Sequence, residues 1–314
     1  MEYPKIRQAR PALHPGPYAS LEPTLRLLLR AAAITLAATA ALAQQPSVVD
    51  PFPGSARAYL GFDRNLYPGD AALPELHKLF SFTGYWLTNP PGETHNTWLG
   101  KRDLLVRNGF GFLVLANGRP DAEINRAAKQ GKSPAALGRE DAAIAVAAAQ
   151  HEGFPAGAIL FLDQEDGGRL LPEQAGYLLA WTEAVAQSSY RPGVYASGQP
   201  VSDGRGPDAK PISITTIQDI RSHVAASHLH PIAFWVYQDA CPPAPGCVLQ
   251  TPPPNLSGTL DAAAWQFAQS PRRKSITQAC ARTYASDGNC NTPAPTRLDI
   301  DLNSAVSPDP SHGR

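Results

Sequence analysis

Short apolar runs recur along the chain, and segments of helical periodicity separate them. Several runs are apolar at consecutive positions, as in residues 158–162. Unbroken apolar runs are typical of strands that are covered on both faces, as in a parallel sheet. The first five predicted strands cover residues 58–63, 82–87, 110–116, 158–165 and 192–197.

Helical patterns lie between these runs. The pattern that ends at Asn108 is followed by Gly109, a typical stop, and another begins with Pro172, which suits a first helical turn. Strands that alternate with helices indicate a parallel βα architecture. Helices are predicted over 98–108, 139–152, 172–187 and 215–226, and the stretch 117–138 is predicted to be a long loop.

The pattern changes after residue 230. Three further strand-like runs, at 232–238, 264–268 and 298–303, are joined by connections that are rich in Pro, Gly and Asn. Eight strands within about 250 residues predict an α/β fold with a TIM-like barrel, in which five βα units are followed by three strands with long loops. A doubly wound open sheet is the alternative, but residues 61–65 do not form its glycine-rich phosphate turn.

The first 43 residues have the pattern of a secretory signal peptide. Arg26 and Arg30 flank three leucines, and an uncharged apolar segment then ends in Ala-Leu-Ala at Ala43. A membrane span needs about 20 apolar residues, so cleavage is favoured over the alternative of an uncleaved anchor. We expect a signal peptide at 1–43, a linker at 44–56, one barrel domain at 57–306 and a disordered tail at 307–314. The protein is then secreted or periplasmic, with no membrane attachment after cleavage.

Charge and local motifs narrow the classes of function. The chain carries 27 basic and 27 acidic residues, and without its first 43 residues it has a formal net charge of −3. Nucleic-acid binding favours a basic face, so we expect no nucleic-acid partner. Pro155 stands where a zinc-protease motif beginning at His151 requires its second histidine, and no Gly-x-Ser-x-Gly elbow or phosphate loop occurs. We expect a monomer with no cofactor and no metal.

The four cysteines all follow the predicted signal peptide. An even number in an oxidising compartment predicts two disulfides, which would staple the long loops between the last strands. Three pairings are open, and we favour the local one because each of its pairs brackets a short, turn-rich loop. A zinc site is the alternative, but the spacings do not fit common zinc motifs. The favoured pairs are Cys241 with Cys247 and Cys280 with Cys290.

Acidic residues stand near the ends of three predicted strands. Asp63 ends the first strand, Asp163 and Glu165 end the fourth, and Asp301 shares one face of the last strand with Asn303. Asp163 and Glu165 are two positions apart, so on a strand their side chains point the same way, with α-carbons roughly 6.5 Å apart. Each acid alone also fits a structural role, such as a cap or the partner of an arginine. Because functional groups of an α/β barrel gather at one mouth, the joint pattern favours a shared site.

Carboxyl groups around a cleft are typical of glycoside hydrolysis. One carboxylic acid donates a proton to the leaving oxygen while another carboxylate stays ionised. Aromatic side chains near strand ends are candidates to stack on sugar rings, with core packing as the alternative. The candidates for substrate binding are Tyr85, Tyr195, Trp235, Tyr237, Trp265 and Asn303.

A family resemblance is carried by five motifs in order. They are Gly-Phe-Asp at 61–63, Leu-Asp-Gln-Glu at 162–165, Arg-Pro-Gly-Val-Tyr at 191–195, Trp-Gln at 265–266 and Ile-Asp-Leu-Asn at 300–303. This series resembles the lysozyme-type muramidases of glycoside hydrolase family 25. It is still more similar to their relatives, the glycoside-hydrolase-like family known as domain of unknown function 1906.

The resemblance implies both a fold and a chemistry. It implies five βα units followed by three strands, with Glu165 as general acid and Asp163, Asp63 and Asp301 as the other carboxylates. It also implies cleavage of the β-1,4 link between N-acetylmuramic acid and N-acetylglucosamine in peptidoglycan. The segment 85–98, the loop 117–138 and the cysteine loops differ from the muramidases, and mouth loops set substrate choice. The alternative is therefore a non-catalytic carbohydrate-binding or cell-envelope protein on the same barrel.

Overall fold

The computed structural model describes residues 57–206, 208–239, 251–269 and 298–314. The predicted signal peptide and linker lie outside the described residues. So do Cys241, Cys247, Cys280 and Cys290, and the disulfide pairing therefore stays a prediction. Among the helices of the described residues, none has the length and apolar character needed to cross a membrane.

The described residues form ten strands, six α-helices and two short 3-10 helices. The strands are β1 (Tyr59–Asp63), β2 (Phe82–Trp86), β3 (Gly111–Asn117), β4 (Ile159–Gln164), β5 (Arg191–Ser197), β6 (Val201–Arg205), β7 (Pro211–Ile214), β8 (Ala233–Tyr237), β9 (Ala264–Ala268) and β10 (Asp301–Ala305). The α-helices are α1 (Leu73–His77), α2 (Arg102–Arg107), α3 (Asp121–Lys129), α4 (Pro134–His151), α5 (Pro172–Ala186) and α6 (Thr216–Ala226). The 3-10 helices are Asp70–Ala72 and Pro254–Ser257.

Eight of the strands close into a barrel in the order β1-β10-β9-β8-β5-β4-β3-β2. The predicted closed eight-stranded barrel in a mixed α/β fold is therefore confirmed. Strands β1 to β5, β8 and β9 pair in parallel, whereas β10 is antiparallel to both of its neighbours, β1 and β9. This reversal brings the amino end of β10 to the barrel mouth, beside the carboxyl ends of the parallel strands.

Several elements differ from their predicted bounds. Helix α3 lies within the stretch 117–138 that we expected to be a loop, and only Ile124 of its residues is buried. Its mostly solvated surface explains why no apolar stripe marks it. Helix α4 begins at Pro134 rather than at 139, because the Ser133 hydroxyl caps it by accepting from the backbone N–H of Ala136 at 3.2 Å.

The pair β6 and β7 forms a separate antiparallel hairpin after β5, and the sequence analysis did not predict it. Nearly all of its residues are exposed. It therefore shows neither the apolar run of a buried strand nor the alternation of a half-buried one. The hairpin begins four residues after Ser197, the last residue of β5, so it lies on the mouth side of the barrel.

Residues 307–314 pack against the opposite, amino end of the barrel, which corrects the expectation of a disordered tail. The Ser311 carbonyl accepts from the N–H of Ile159 at 2.8 Å, and Asp309 accepts from the N–H of Phe112 at 2.9 Å. Ser311 and Gly313 are buried. The segment closes the bottom of the barrel because it supplies partners for strand-end amides that would otherwise have none.

The barrel interior below the mouth is filled by aromatic rings. Phe161 of β4 meets Trp235 of β8 edge to face, with ring centroids 5.9 Å apart. Gly61 and Gly193 make room for such rings, since a Cβ at Gly61 would lie 2.2 Å from the Phe82 ring. These side chains form a solid floor, and polar groups above them face the open mouth.

Candidate functional site

The four predicted carboxyl groups come from three strands and one strand end. Asp63 of β1 stands directly opposite Asp301 of β10, because β10 runs antiparallel and starts at the mouth. Asp163 of β4 stands beside Tyr195 of β5 in the parallel register. Glu165 follows Gln164, the last residue of β4, and is exposed at the rim rather than being part of the strand.

A chain of hydrogen bonds beneath the mouth orients Asp63. The Trp235 indole N–H donates to the Asn303 side-chain oxygen at 2.8 Å, and the Asn303 amide donates to Asp63 Oδ1 at 2.6 Å. On the other side, the Tyr195 hydroxyl donates to Gln266 Oε1 at 2.9 Å, and Gln266 Nε2 donates to Asp63 Oδ1 at 3.1 Å. Two amide donors therefore hold one carboxylate oxygen in place.

Burial makes Asp63 a weaker acid than an ordinary aspartic acid. Loss of solvent raises its pKa from 3.8 to about 6, although the hydrogen bonds from Asn303 and Gln266 oppose the rise. The desolvation penalty exceeds the effect of the donors because the residue is only 8 % exposed. The carboxyl group is consequently poised to change its charge at mildly acidic pH.

Asp163 is perturbed further. Burial raises its pKa well above the usual value, and repulsion from Glu165 and Asp63 adds to the rise. Its Oδ1 is buried and has no hydrogen-bond partner among the described residues. A buried carboxylate without donors is strongly disfavoured, so Asp163 holds its proton more tightly than an ordinary aspartic acid.

Glu165 and Tyr195 complete the electrostatics of the mouth. The pKa of Glu165 is raised, first by partial burial of its carboxyl group and then by repulsion from Asp166. The pKa of the Tyr195 hydroxyl is raised well above the usual value by burial and by the negative field of all four acids. The Tyr195 hydroxyl is therefore near enough to Asp63, Asp163, Glu165 and Asp301 to interact with the charge of each.

Asp63 and Asp301 line one cavity at the mouth, of about 290 Å³, and a second cavity, of about 250 Å³, opens beside Asp163 and Glu165. Asp163, Glu165 and Asp166 line one wall, and Arg119 and Glu123 line another. In the described part of the chain, no group of three or more His, Cys, Asp or Glu side chains is placed so that it could hold a metal ion. Four of the eleven residues that line this second cavity, Glu123, Asp163, Glu165 and Asp166, carry carboxyl groups.

Residues 88–288 match the family described as Rv2525c-like, glycoside hydrolase-like domain. The chain belongs to this family. The predicted resemblance to a glycoside-hydrolase-like family is thereby confirmed, and no curated protein matches the chain.

Solved structures that are similar to this chain come from several bacteria. An uncharacterized protein of B. stearothermophilus is 19% identical, with 79% of this chain and 95% of that chain covered and a TM-score of 0.48. The Tat-secreted protein Rv2525c of Mycobacterium tuberculosis, in complex with L-tartrate, is 15% identical, with 81% and 97% covered and a TM-score of 0.44. The spore cortex lytic enzyme SleM of Clostridium perfringens is 13% identical, with 80% and 68% covered and a TM-score of 0.43.

Four of the six residues predicted to bind substrate face the interior of the barrel in this glycoside hydrolase-like domain. Two of them have structural roles, and two are placed where they could contact a ligand. Trp235 is fully buried and supports Asn303 from below, so its ring is not available to a sugar. Asn303 is also fully buried and binds Asp63. Tyr195 and Tyr237 are partly exposed, with ring centroids 6.1 Å apart, so both remain candidates for contact with a ligand.

Tyr85 and Trp265 lie outside the barrel, which corrects their predicted role. The Tyr85 ring is fully buried against Phe112, and its hydroxyl donates to Glu152. The Trp265 indole N–H donates to the carbonyl of Gln238 at 2.7 Å. Side chains alternate along a strand, and in both strands the neighbouring position faces inward, so these two rings must face outward.

Gln266 is a site residue that the sequence analysis quoted in a motif but did not select. Strand parity was the available signal, since Gln266 has the opposite facing from Trp265 and stands opposite Asn303 of β10. Arg119, Glu123 and Asp166 were also missed. They lie on loops or at a helix, where periodicity in the sequence does not indicate which side chains reach the mouth.

Proposed function

We propose that this protein is an exported glycoside hydrolase that cleaves peptidoglycan or a related cell-envelope glycan. The observation that carries the proposal is the grouping of four carboxyl groups at the barrel mouth, where Asp163 and Glu165 line one cavity and Asp63 and Asp301 line another. Three of the four have a raised pKa. Glycoside hydrolysis requires carboxyl groups in different protonation states side by side. Membership of a glycoside hydrolase-like family agrees with this chemistry.

In the proposed reaction, Glu165 is the general acid. It is at the exposed rim, and its raised pKa keeps more of it protonated than an ordinary glutamic acid. It donates its proton to the glycosidic oxygen as the bond to the anomeric carbon breaks. Water then adds its oxygen to that carbon, and the proton released by the water returns to a carboxylate.

The other acids divide the remaining work. Asp63 is oriented by two amide donors, and in its ionised form it stabilises the positive charge that develops on the sugar ring. Asp163 retains its proton most strongly, which makes it the second candidate for proton donor. Asp301 stands opposite Asp63 and adds to the negative field around the ring.

Export and the finer architecture are part of the same proposal. The signal peptide at 1–43 directs the chain to a secreted or periplasmic location, where Cys241, Cys247, Cys280 and Cys290 form two disulfides. The barrel comprises five βα units followed by three strands with long loops. The mature protein acts as a monomer, without a cofactor, on a glycan substrate.

The test is release of reducing ends from purified peptidoglycan by the chain from residue 44 onward. We expect Glu165→Gln to abolish release, because an amide cannot donate the proton. Glu140→Gln is the matched control, since Glu140 is exposed on α4 and pairs with Lys132 away from the cleft. Equal release by wild type and Glu165→Gln would overturn the assignment of the acid. Glycan binding without release by any form would instead support the non-catalytic alternative.

A further inference from the structure

The segment that carries Glu165 contains two successive glycines, which place few restraints on its backbone. Residues 165–171, which we call the acid-bearing segment, connect β4 to α5 and contain Gly167 and Gly168 in succession. Gly168 has a φ of 91°, a backbone conformation that other residues rarely adopt. A pair of glycines next to a candidate acid requires external contacts if the acid is to keep one position.

Asp219 of α6 provides such contacts. Its carboxylate is almost fully buried and accepts from the backbone N–H of Leu170 and from Arg169 Nη1, both at 2.9 Å. The Thr216 hydroxyl, also on α6, donates to the Asp166 carbonyl at 3.4 Å. The start of α6 therefore binds the acid-bearing segment at both of its ends.

Arg169 extends these contacts to the β6–β7 hairpin. Its Nε and Nη2 donate to the two carboxylate oxygens of Asp203 on β6, at 2.8 and 2.7 Å. The guanidinium group thus bridges Asp203 and Asp219 in a planar geometry that only arginine offers. The hairpin is otherwise mostly exposed, so this contact fixes its position relative to the cleft.

We propose that Arg169 and Asp219 are positioning residues, which hold the acid-bearing segment and thereby fix Glu165 at the mouth. This inference rests on the proposed function of Glu165 as general acid. Neither residue is among the described residues that line the cavity, so both act through the segment and not on substrate. Displacement of a reacting group by about 1 Å can cost a hundredfold in rate. We call the contacts that Arg169 and Asp219 make with the acid-bearing segment the clamp.

The clamp has a consequence for the pH dependence of activity. Four charged or titratable side chains line the cavity together with Glu165: Asp163, Asp166, Arg119 and Glu123. The Tyr195 hydroxyl on β5 also interacts with the charge of Glu165. Burial and the repulsion from Asp166 raise the Glu165 pKa in the clamped position. A released segment would be better solvated, and the pKa would fall toward its ordinary value. Activity needs protonated Glu165, so its loss at high pH would move to lower pH.

Three variants test the clamp in the mature chain. We expect Asp219→Asn and Arg169→Gln to lower kcat at least tenfold with KM changed less than twofold, and to move the alkaline limb of the pH profile toward acid. Arg169→Lys should recover only part of the loss, because lysine cannot bridge two carboxylates in a plane. Arg205→Gln is the matched control on the same hairpin, where Arg205 contacts only the carbonyl of Ala209 among its described partners, and we expect no change.

Two readouts separate the possible results. An unchanged alkaline limb in both Asp219→Asn and Arg169→Gln would overturn the proposal, even if thermal stability fell. Hydrogen exchange at the Leu170 amide does not require turnover, and we expect its protection to be lost in a further variant, Asp219→Ala, which has no side-chain acceptor for the Leu170 N–H. If the wild type has no glycosidase activity, the proposed function fails but the clamp can still be tested. Protection at Leu170 that is retained in Asp219→Ala would then overturn the clamp by itself. Arg169→Gln keeps the test valid if Asp219→Asn does not fold, because Arg169 is largely exposed.

Discussion

Replacement of Asp63 by asparagine is expected to stabilise the folded protein at neutral pH. Both close donors, Asn303 Nδ2 and Gln266 Nε2, are directed at Oδ1, at 2.6 and 3.1 Å. An amide oxygen has two lone pairs and can accept both hydrogen bonds. The substitution therefore keeps the two close hydrogen bonds, loses the longer one from Gln266 Nε2 to Oδ2 at 3.4 Å, and removes the cost of a buried negative charge.

The size of the effect follows from the pKa. A rise from 3.8 to about 6 corresponds to about 3 kcal/mol against the ionised folded protein. Because the pKa is higher in the folded protein, protonation of Asp63 favours the folded state. This stabilisation is complete below pH 3.8 and is lost as the pH rises through about 6. A buried amide has its own desolvation cost, so we expect Asp63→Asn to gain about 2 kcal/mol at pH 7.5 and nearly nothing at pH 4.

Chemical denaturation between pH 4 and pH 8, followed by tryptophan fluorescence, measures this difference. Asp208→Asn is the control, because Asp208 is exposed on the hairpin and its pKa is lowered by Lys210. The stability of Asp208→Asn relative to wild type should change only weakly with pH and should fall, not rise, as the pH increases. A stability difference between Asp63→Asn and wild type that is constant with pH, or negative at pH 7.5, would refute the reasoning from burial.

Two further predictions concern packing. A Cβ at Gly138 of α4 would lie 2.2 Å from the Tyr177 carbonyl of α5, so Gly138→Ala should lower the free energy of unfolding by about 2 kcal/mol, measured by chemical denaturation. Gly176→Ala has room at 3.6 Å and should gain about 1 kcal/mol, and equal effects of the two changes would contradict this packing. Removal of residues 307–314 deprives three strand amides of partners and should cost about 3 kcal/mol in the same assay; an unchanged midpoint would mean that water replaces them.

Much of the barrel could be predicted from the sequence, because its strands are covered on both faces. Short strand-like runs were predicted for all eight barrel strands, and β9 was predicted with the bounds that it has in the structure. Solvated elements left no such mark. Helix α3 buries only Ile124, and the β6–β7 hairpin buries almost nothing, so neither element produced an apolar period that could be recognised.

The aromatic candidates show where local patterns fail. Tyr85 and Trp265 are near strand ends, as predicted, but strand parity turns both rings away from the barrel interior. The facing of a strand's side chains becomes known only when one position is placed, as at Gly84, where a Cβ would lie 2.7 Å from the Asp63 Cβ. An aromatic residue near a strand end therefore has two possible environments, and the sequence does not distinguish them.

The sequence by itself determined which acids stand at which strand ends, because their spacing from the apolar runs is a local property. The direction of β10 was decided only by tertiary structure, and this direction sets Asp301 opposite Asp63. The raised pKa values of Asp63 and Asp163 were decided there as well. Exclusion of water and repulsion between carboxyl groups depend on distances across the closed barrel, and those distances exist only when strands remote in sequence meet.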